Sequence, residues 1–209
     1  MNQSWLPAQI SLPFTLRGFY FLTFFGLGVY APYMSIFLKS RGLSGAEVGT
    51  VWALLPLGAV IAPPLWGMVA DKFRNRKILI ISLTLVSGVL FACLLGTRTF
   101  WVLAGTLFLY STFRSSTLPL VESATLEYLS HSPRENECGR IFAYGDFRLW
   151  GGVGFILASL TIGYLVDAFS IRMMVYVYLV AAAVQAFLGF ALPSEGLGIY
   201  QISLCLFHE

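Results

Sequence analysis

Apolar residues along this chain come in runs of about twenty, separated by short polar stretches. A helix needs roughly 20 apolar residues to cross the hydrocarbon layer of a bilayer. Six segments meet that length: Gly18–Leu38, Val48–Ala70, Ile78–Thr97, Phe100–Val121, Leu149–Val166 and Met173–Leu192. The fourth carries Arg114 within it. The fourth and fifth are expected to continue as helix beyond their apolar cores, on the side of the loop that joins them. Arg17 precedes the first run, which extends to Leu38. That is longer than the roughly 7–15 apolar residues of a cleavable signal peptide, so the run reads as a retained first span. The predicted fold is an all-α integral membrane bundle of six helices over 1–193, with a short atypical tail over 194–209.

Composition agrees with that picture. Of 209 residues, 57% are hydrophobic and only 11% charged, whereas a soluble domain has about a quarter of its residues charged. The net charge of +3 is too small and too dispersed to point to nucleic acid. Cys93, Cys138 and Cys205 show neither paired nor metal-ligand spacing. The motifs H-E-x-x-H, G-x-S-x-G and C-x-x-C do not occur, and His131 and His208 lie outside the predicted spans. No enzyme activity, metal or cofactor is expected.

Lys and Arg in short loops set orientation. With a cytoplasmic amino terminus, the inner side holds Arg17, Lys72, Arg74, Arg76, Lys77, Arg134, Arg140 and Arg148. The outer side holds Lys39, Arg41, Arg98 and Arg172. The Lys72–Lys77 cluster decides the matter. The expected location is a bacterial inner membrane, with both termini cytoplasmic. A weak repeat adds to this: the second span ends on Gly67–Asp71 and the fifth on Gly163–Asp167, both reading G-x-[apolar]-x-D. Being three spans apart, the copies face opposite sides, as in transporters built from two inverted three-helix repeats.

Ionisable groups inside spans are costly and mark pathways. If the fourth helix ends near Leu129 and the fifth starts near Phe142, Glu122 and Arg148 both lie roughly 10 Å from the inner helix ends. Adjacent antiparallel helices then bring them to matching depth, either as a solute-binding pair or as a structural ion pair. On a continuous helix, Arg114 is about 80° round from Glu122 and about 12 Å away along the axis. It could attract an anionic solute, or pair with a carboxylate from outside this chain. Gly151, Gly152, Gly154 and Ala158 form a small-residue face for close packing. Pro32, Pro56, Pro63, Pro64 and Pro119 are candidate kink positions. Phe155 apart, the aromatic residues carry no assigned binding role.

Gly67–Lys77 is the strongest motif. Gly67 lets a neighbouring helix approach, and Asp71 sits at a helix end beside basic residues. The cluster serves as a latch between helix ends or as a solvated basic loop. It resembles the major facilitator loop signature G-x-L-A-D-R-x-G-R-K, matched here by Gly67, Ala70, Asp71, Lys72 and Arg76, with Arg74 in place of the glycine and Asn75 in place of a basic residue.

Leu120–Ala124 followed by Tyr144–Phe155 resembles the fourth and fifth helices of the lactose permease branch, and Gly28–Pro32 with Ile36–Leu38 resembles its first helix. Phenylpropionate-transporter-like proteins share these patterns, including Pro119-Leu120 before the acid. The resemblance spans about Phe14 to Pro193. It implies that Glu122 and Arg148 hold the solute, and that Phe155 stands where the sugar-binding branch has a stacking tryptophan. It further implies a solute:proton symporter for a small organic solute, sugar-like or aromatic monocarboxylate. In that family the site lies between two six-helix halves. The chain therefore reads as the amino-terminal half, truncated or frame-shifted after Pro193. Its partners would be protons, the lipid bilayer, and a missing carboxy-terminal half or a second copy. The alternative is a dimerising half-transporter or a non-transporting membrane partner protein.

Overall fold

A backbone in hydrocarbon must satisfy its own polar groups, and helices do so within one segment. The computed structural model describes residues 6–73, 76–131 and 144–192, without the side chains of 6–12, 71, 73, 76 and 127–131. Among these residues the elements are all helical: α1 (Leu6–Tyr30), α2 (Met34–Ser40), α3 (Gly45–Phe73), α4 (Arg76–Cys93), α5 (Phe100–Ser115), α6 (Thr117–His131), α7 (Tyr144–Ala168) and α8 (Met173–Gly189). The tail 194–209 and the residues Cys138, Cys205, Arg134, Arg140 and His208 lie outside the description, as do the side chains of Asp71, Arg76 and His131.

Two of the six expected segments are not single helices. The first divides into α1 and α2, bent by 41° across Ala31–Tyr33. Pro32 lacks an N–H and disfavours helical geometry at the residue before it. The ladder resumes where Phe37 N–H donates to the Tyr33 carbonyl at 2.9 Å. The fourth divides into α5 and α6 at Ser116. There Pro119, in the first turn of α6, cannot donate back to Ser115. By contrast α3 runs unbroken through Pro56, Pro63 and Pro64. As expected, α6 and α7 extend past their apolar cores toward each other.

By length and hydropathy alone, Gly45–Ala70 and Tyr144–Ala168 each suffice to cross a membrane, and the bent α1–α2 pair makes a third candidate. α4 and α8 are shorter apolar helices. If each broken pair counts as one segment, the packing is α3 on α5, α5 on α4, α4 on α8, α8 on α1, and α1 on α7. That order is unchanged when the first three segments are exchanged with the last three. The broken segments, first and fourth, also exchange. The two large seams, α1 on α7 and α3 on α5, are thus equivalent positions.

Small residues make both seams. In α7, Gly154 lies against the backbone carbonyl of Phe21, Gly151 against the ring of Phe24, and Ala158 is buried. From the other side, a Cβ on Gly28 would stand 2.5 Å from the Phe155 carbonyl. Gly152, expected on the same face, points to open space: it lies about 100° round the helix from Gly151, off the side on which Gly151, Gly154 and the Phe155 backbone meet α1. In the other seam, Gly58 packs on Phe108, Ser111 and Thr112, and Ser111 donates to the Leu55 carbonyl at 2.6 Å.

Two apolar clusters fill the bundle. One gathers Leu16, Phe19, Tyr20, Ile80, Leu83 and Phe147 at the end bearing Lys72. The other gathers Val29, Phe37, Phe91, Tyr110, Met174 and Tyr178 toward Arg41. At the Lys72 end, Lys77 Nζ donates to the Phe190 carbonyl at 2.5 Å, tying α4 to the end of α8.

Candidate functional site

Between the two apolar clusters, buried polar side chains face inward from several helices. Thr23 on α1 is the hub. Its hydroxyl accepts from Gln185 Nε2 at 2.8 Å, and its carbonyl accepts from Arg114 Nη2 at 2.6 Å. Gln185 is 3% exposed, so it is buried at a polar junction rather than on a wet face. A buried amide or guanidinium without partners would be expensive, so this junction links α1, α5 and α8. Arg114 lies in the last turn of α5, just before the break at Ser116. The offset of 80° and 12 Å to Glu122 assumes one continuous helix, and the break removes that relation. No described carboxylate lies within ion-pair distance of Arg114.

Above this junction the rings of Tyr30, Phe91, Tyr110 and Tyr178 form a closed set. Every pair lies between 4.1 and 6.3 Å, and the rings come from α1, α4, α5 and α8. The three tyrosines are the electrostatic neighbours of Arg114. Gly26 makes room there: a Cβ would meet Tyr178 at 3.3 Å and Arg114 Nη2 at 3.5 Å. No pattern along the chain signals this arrangement, because four separate helices supply one ring each.

The second polar group stands where α6 meets α7. Arg148 Nη1 lies 3.7 Å from Glu122 Oε1. Tyr144, at the start of α7, completes the cluster: its hydroxyl donates to Glu122 Oε1 at 2.7 Å and accepts from Arg148 Nη1 at 3.3 Å. Tyr144 precedes Arg148 by four residues, which puts both on one helix face. That i, i+4 spacing is the signal by which the sequence could have disclosed it. The Tyr144 ring stands edge-on to Tyr20 of α1, with centroids 6.3 Å apart. Arg148 is 59% and Glu122 29% exposed. The cluster therefore presents both donors and acceptors to its surroundings.

Phe155 lies seven residues beyond Arg148, which is two turns along the same face. It is half-buried, and its carbonyl accepts from Ser159 Oγ at 2.9 Å. Arg114 and Phe155 are not in the Glu122 cluster. In the loop motif, Lys72 is exposed, and the side chains of Asp71 and Arg76 fall outside the description. The close helix approach expected at Gly67 is not made by any described residue, since a Cβ there would meet nothing within 4 Å. Its repeat partner Gly163 instead makes room for a side chain, because a Cβ there would stand 2.6 Å from the Tyr33 hydroxyl.

Known proteins give this arrangement a context. A family model described as the MFS_1 like family matches residues 14–196. Maltose permease of Geobacillus stearothermophilus is 34% identical over 184 residues, covering 86% of this chain and 44% of that protein. The probable 3-phenylpropionic acid transporter of Escherichia coli (strain K12) is 29% identical over 161 residues, covering 73% of this chain and 38% of that protein. The crystal structure of the nucleoside transporter NupG matches with a TM-score of 0.77 at 22% identity, covering 91% of this chain and 46% of that one. The chain spans less than half the length of these relatives, which are permeases and transporters rather than enzymes. Its fold is that of a major facilitator transporter, and it is a multi-pass membrane protein belonging to the MFS_1 like family.

Proposed function

We propose that this chain supplies one wall of a secondary transporter for a small hydroxylated, sugar-like solute, and that Glu122, Tyr144 and Arg148 hold that solute. The observation that carries this reading is a charge-compensated cluster left accessible. At its degree of exposure, an ion pair adds only about 0–1 kcal/mol to stability. That is too little to account for two ionisable groups beside a span, where such groups are costly. Glu122 and Tyr144 can accept from hydroxyls, and the Arg148 fork can donate to two at once. Charge balance inside the cluster suits a neutral solute. The name of the maltose permease supports the same choice. Phe155 offers an apolar face two turns away for stacking a sugar ring.

A second reading is favoured by Arg114, whose charge no described carboxylate compensates. It would take an aromatic monocarboxylate, in line with the name of the 3-phenylpropionic acid transporter. In both readings the solute is carried by proton symport, with proton-coupling groups outside this chain. The other wall comes from a carboxy-terminal half or a second copy. The six segments cross the membrane as two inverted three-helix repeats with both termini cytoplasmic. Asp71, with Lys72 and Arg76, latches helix ends.

The test is uptake competition in a full-length homologue that carries these residues. Maltose should inhibit uptake of the accumulated solute, and 3-phenylpropionate should not. The reverse result selects the second reading, and no competition by either refutes both.

A further inference from the structure

Three arginines converge at the end of the bundle remote from Lys72. Arg41 comes from the α2–α3 connection, Arg98 from the α4–α5 connection, and Arg172 caps the start of α8. Together with Ser40, Ser170 and Ile171 they line a cleft of about 520 Å³. No described carboxylate lies within ion-pair distance of any of the three. Gathering like charges without a counter-charge is unfavourable, and a cleft so lined concentrates anions.

The cleft is also built rather than merely charged. The Arg41 guanidinium is held over the Phe37 ring, 4.8 Å from its centroid, and donates through Nη2 to the Leu95 carbonyl at 3.2 Å. Burial, together with the charges of Arg172 and Arg98, pushes Arg41 below its ordinary range. The amino terminus of α8 adds its partial positive charge. Trp101 and Phe169, beside the cleft in sequence, are 79% and 71% exposed. Exposed aromatic residues at helix ends mark the level of lipid headgroups.

We infer that Arg41, Arg98 and Arg172 form a binding site for a phosphate-class oxyanion at this end of the bundle. Arginine forks match phosphate oxygens in geometry as well as charge. Such an anion would bridge the α2–α3, α4–α5 and α7–α8 connections, clamping both three-segment sets of the bundle together. Two sources share this chemistry: the phosphodiester of an anionic phospholipid and free inorganic phosphate. The aromatic flank favours the lipid.

The experiment uses the 209-residue chain in detergent micelles, titrated with phosphatidylglycerol, with phosphatidylcholine, or with inorganic phosphate. Bound lipid is counted by native mass spectrometry, and the thermal midpoint is followed in parallel. Phosphatidylglycerol should bind and raise the midpoint. Arg98→Gln and Arg172→Gln should each weaken binding about fivefold, the effect of one basic residue near an anionic surface. Neither removes the Arg41 contact to Leu95. Lys39→Gln removes an exposed charge outside the cleft lining and should leave binding unchanged. Binding of inorganic phosphate with the same arginine dependence would assign the site to the free anion. The site is overturned if neither anion binds, if phosphatidylcholine binds as well as phosphatidylglycerol, or if Lys39→Gln weakens binding as much as the arginine variants do.

Discussion

Gly152 and Gly154, two residues apart on α7, should respond oppositely to the same methyl group. In Gly154→Ala the new Cβ would press on the backbone carbonyl of Phe21, and in Gly28→Ala it would stand 2.5 Å from the Phe155 carbonyl. Carbonyl carbon and oxygen atoms in a helix cannot rotate away, so α1 and α7 must separate by a substantial fraction of an ångström. Overpacking of this kind costs about 1–3 kcal/mol. The gain in helix propensity from Gly to Ala, about 1 kcal/mol, offsets only part of it. In Gly152→Ala the Cβ meets nothing within 4 Å, so only the propensity gain remains. The two neighbouring substitutions should therefore differ by about 1–3 kcal/mol, with Gly154→Ala the less stable. For a domain of about 200 residues, each kcal/mol moves the midpoint by about 2–4 °C. Thermal unfolding of the detergent-solubilised chain, followed by helical circular dichroism, reads the difference. Equal midpoints for Gly154→Ala and Gly152→Ala, or the reverse order, would refute the α1–α7 seam as the stabilising contact.

Four further outcomes are expected. In a full-length homologue carrying these residues, Glu122→Gln and Arg148→Gln should each weaken solute binding by about 3 kcal/mol, roughly a hundredfold; the double variant should be little worse, and additive losses by equilibrium binding would separate the two roles. Tyr144→Phe in that homologue should weaken binding by about 1 kcal/mol, the value of a neutral hydrogen bond, and unchanged affinity would remove Tyr144 from the site. Gln185→Leu should destabilise the chain by about 1–3 kcal/mol through the unsatisfied Thr23 junction, which a chemical or thermal melt would detect. Asp71→Asn in the homologue should slow turnover more than it weakens binding, and a large loss of affinity with normal turnover would count against a latch.

Membrane class, approximate helix positions and the Glu122–Arg148 pairing could all be read from the chain itself. The reason is physical: hydrocarbon tolerates few charges, so the apolar run length reports the span directly, and an ionisable residue inside or beside one stands out. Antiparallel neighbours of known length also fix depth, so two opposite charges equidistant from a shared loop lie at matching height, and helix rotation then decides whether they meet. Other features needed the tertiary structure. The break at Ser116 arises where Pro119 removes a donor, yet Pro56, Pro63 and Pro64 leave α3 continuous. What differs is packing around each proline, which residue identity does not encode. Tyr144 joined the Glu122 cluster only once α6 and α7 were set side by side. The aromatic set around Arg114, the Thr23 junction and the three-arginine cleft each draw residues from three or more helices or connections. No period along one helix predicts such meetings, because they depend on rotation of each helix about its own axis. Glycine contacts at the two seams fix those rotations. Gly151 and Gly154 turn one face of α7 onto α1, leaving Gly152 outside it, and that choice of face brings Arg148 round to Glu122.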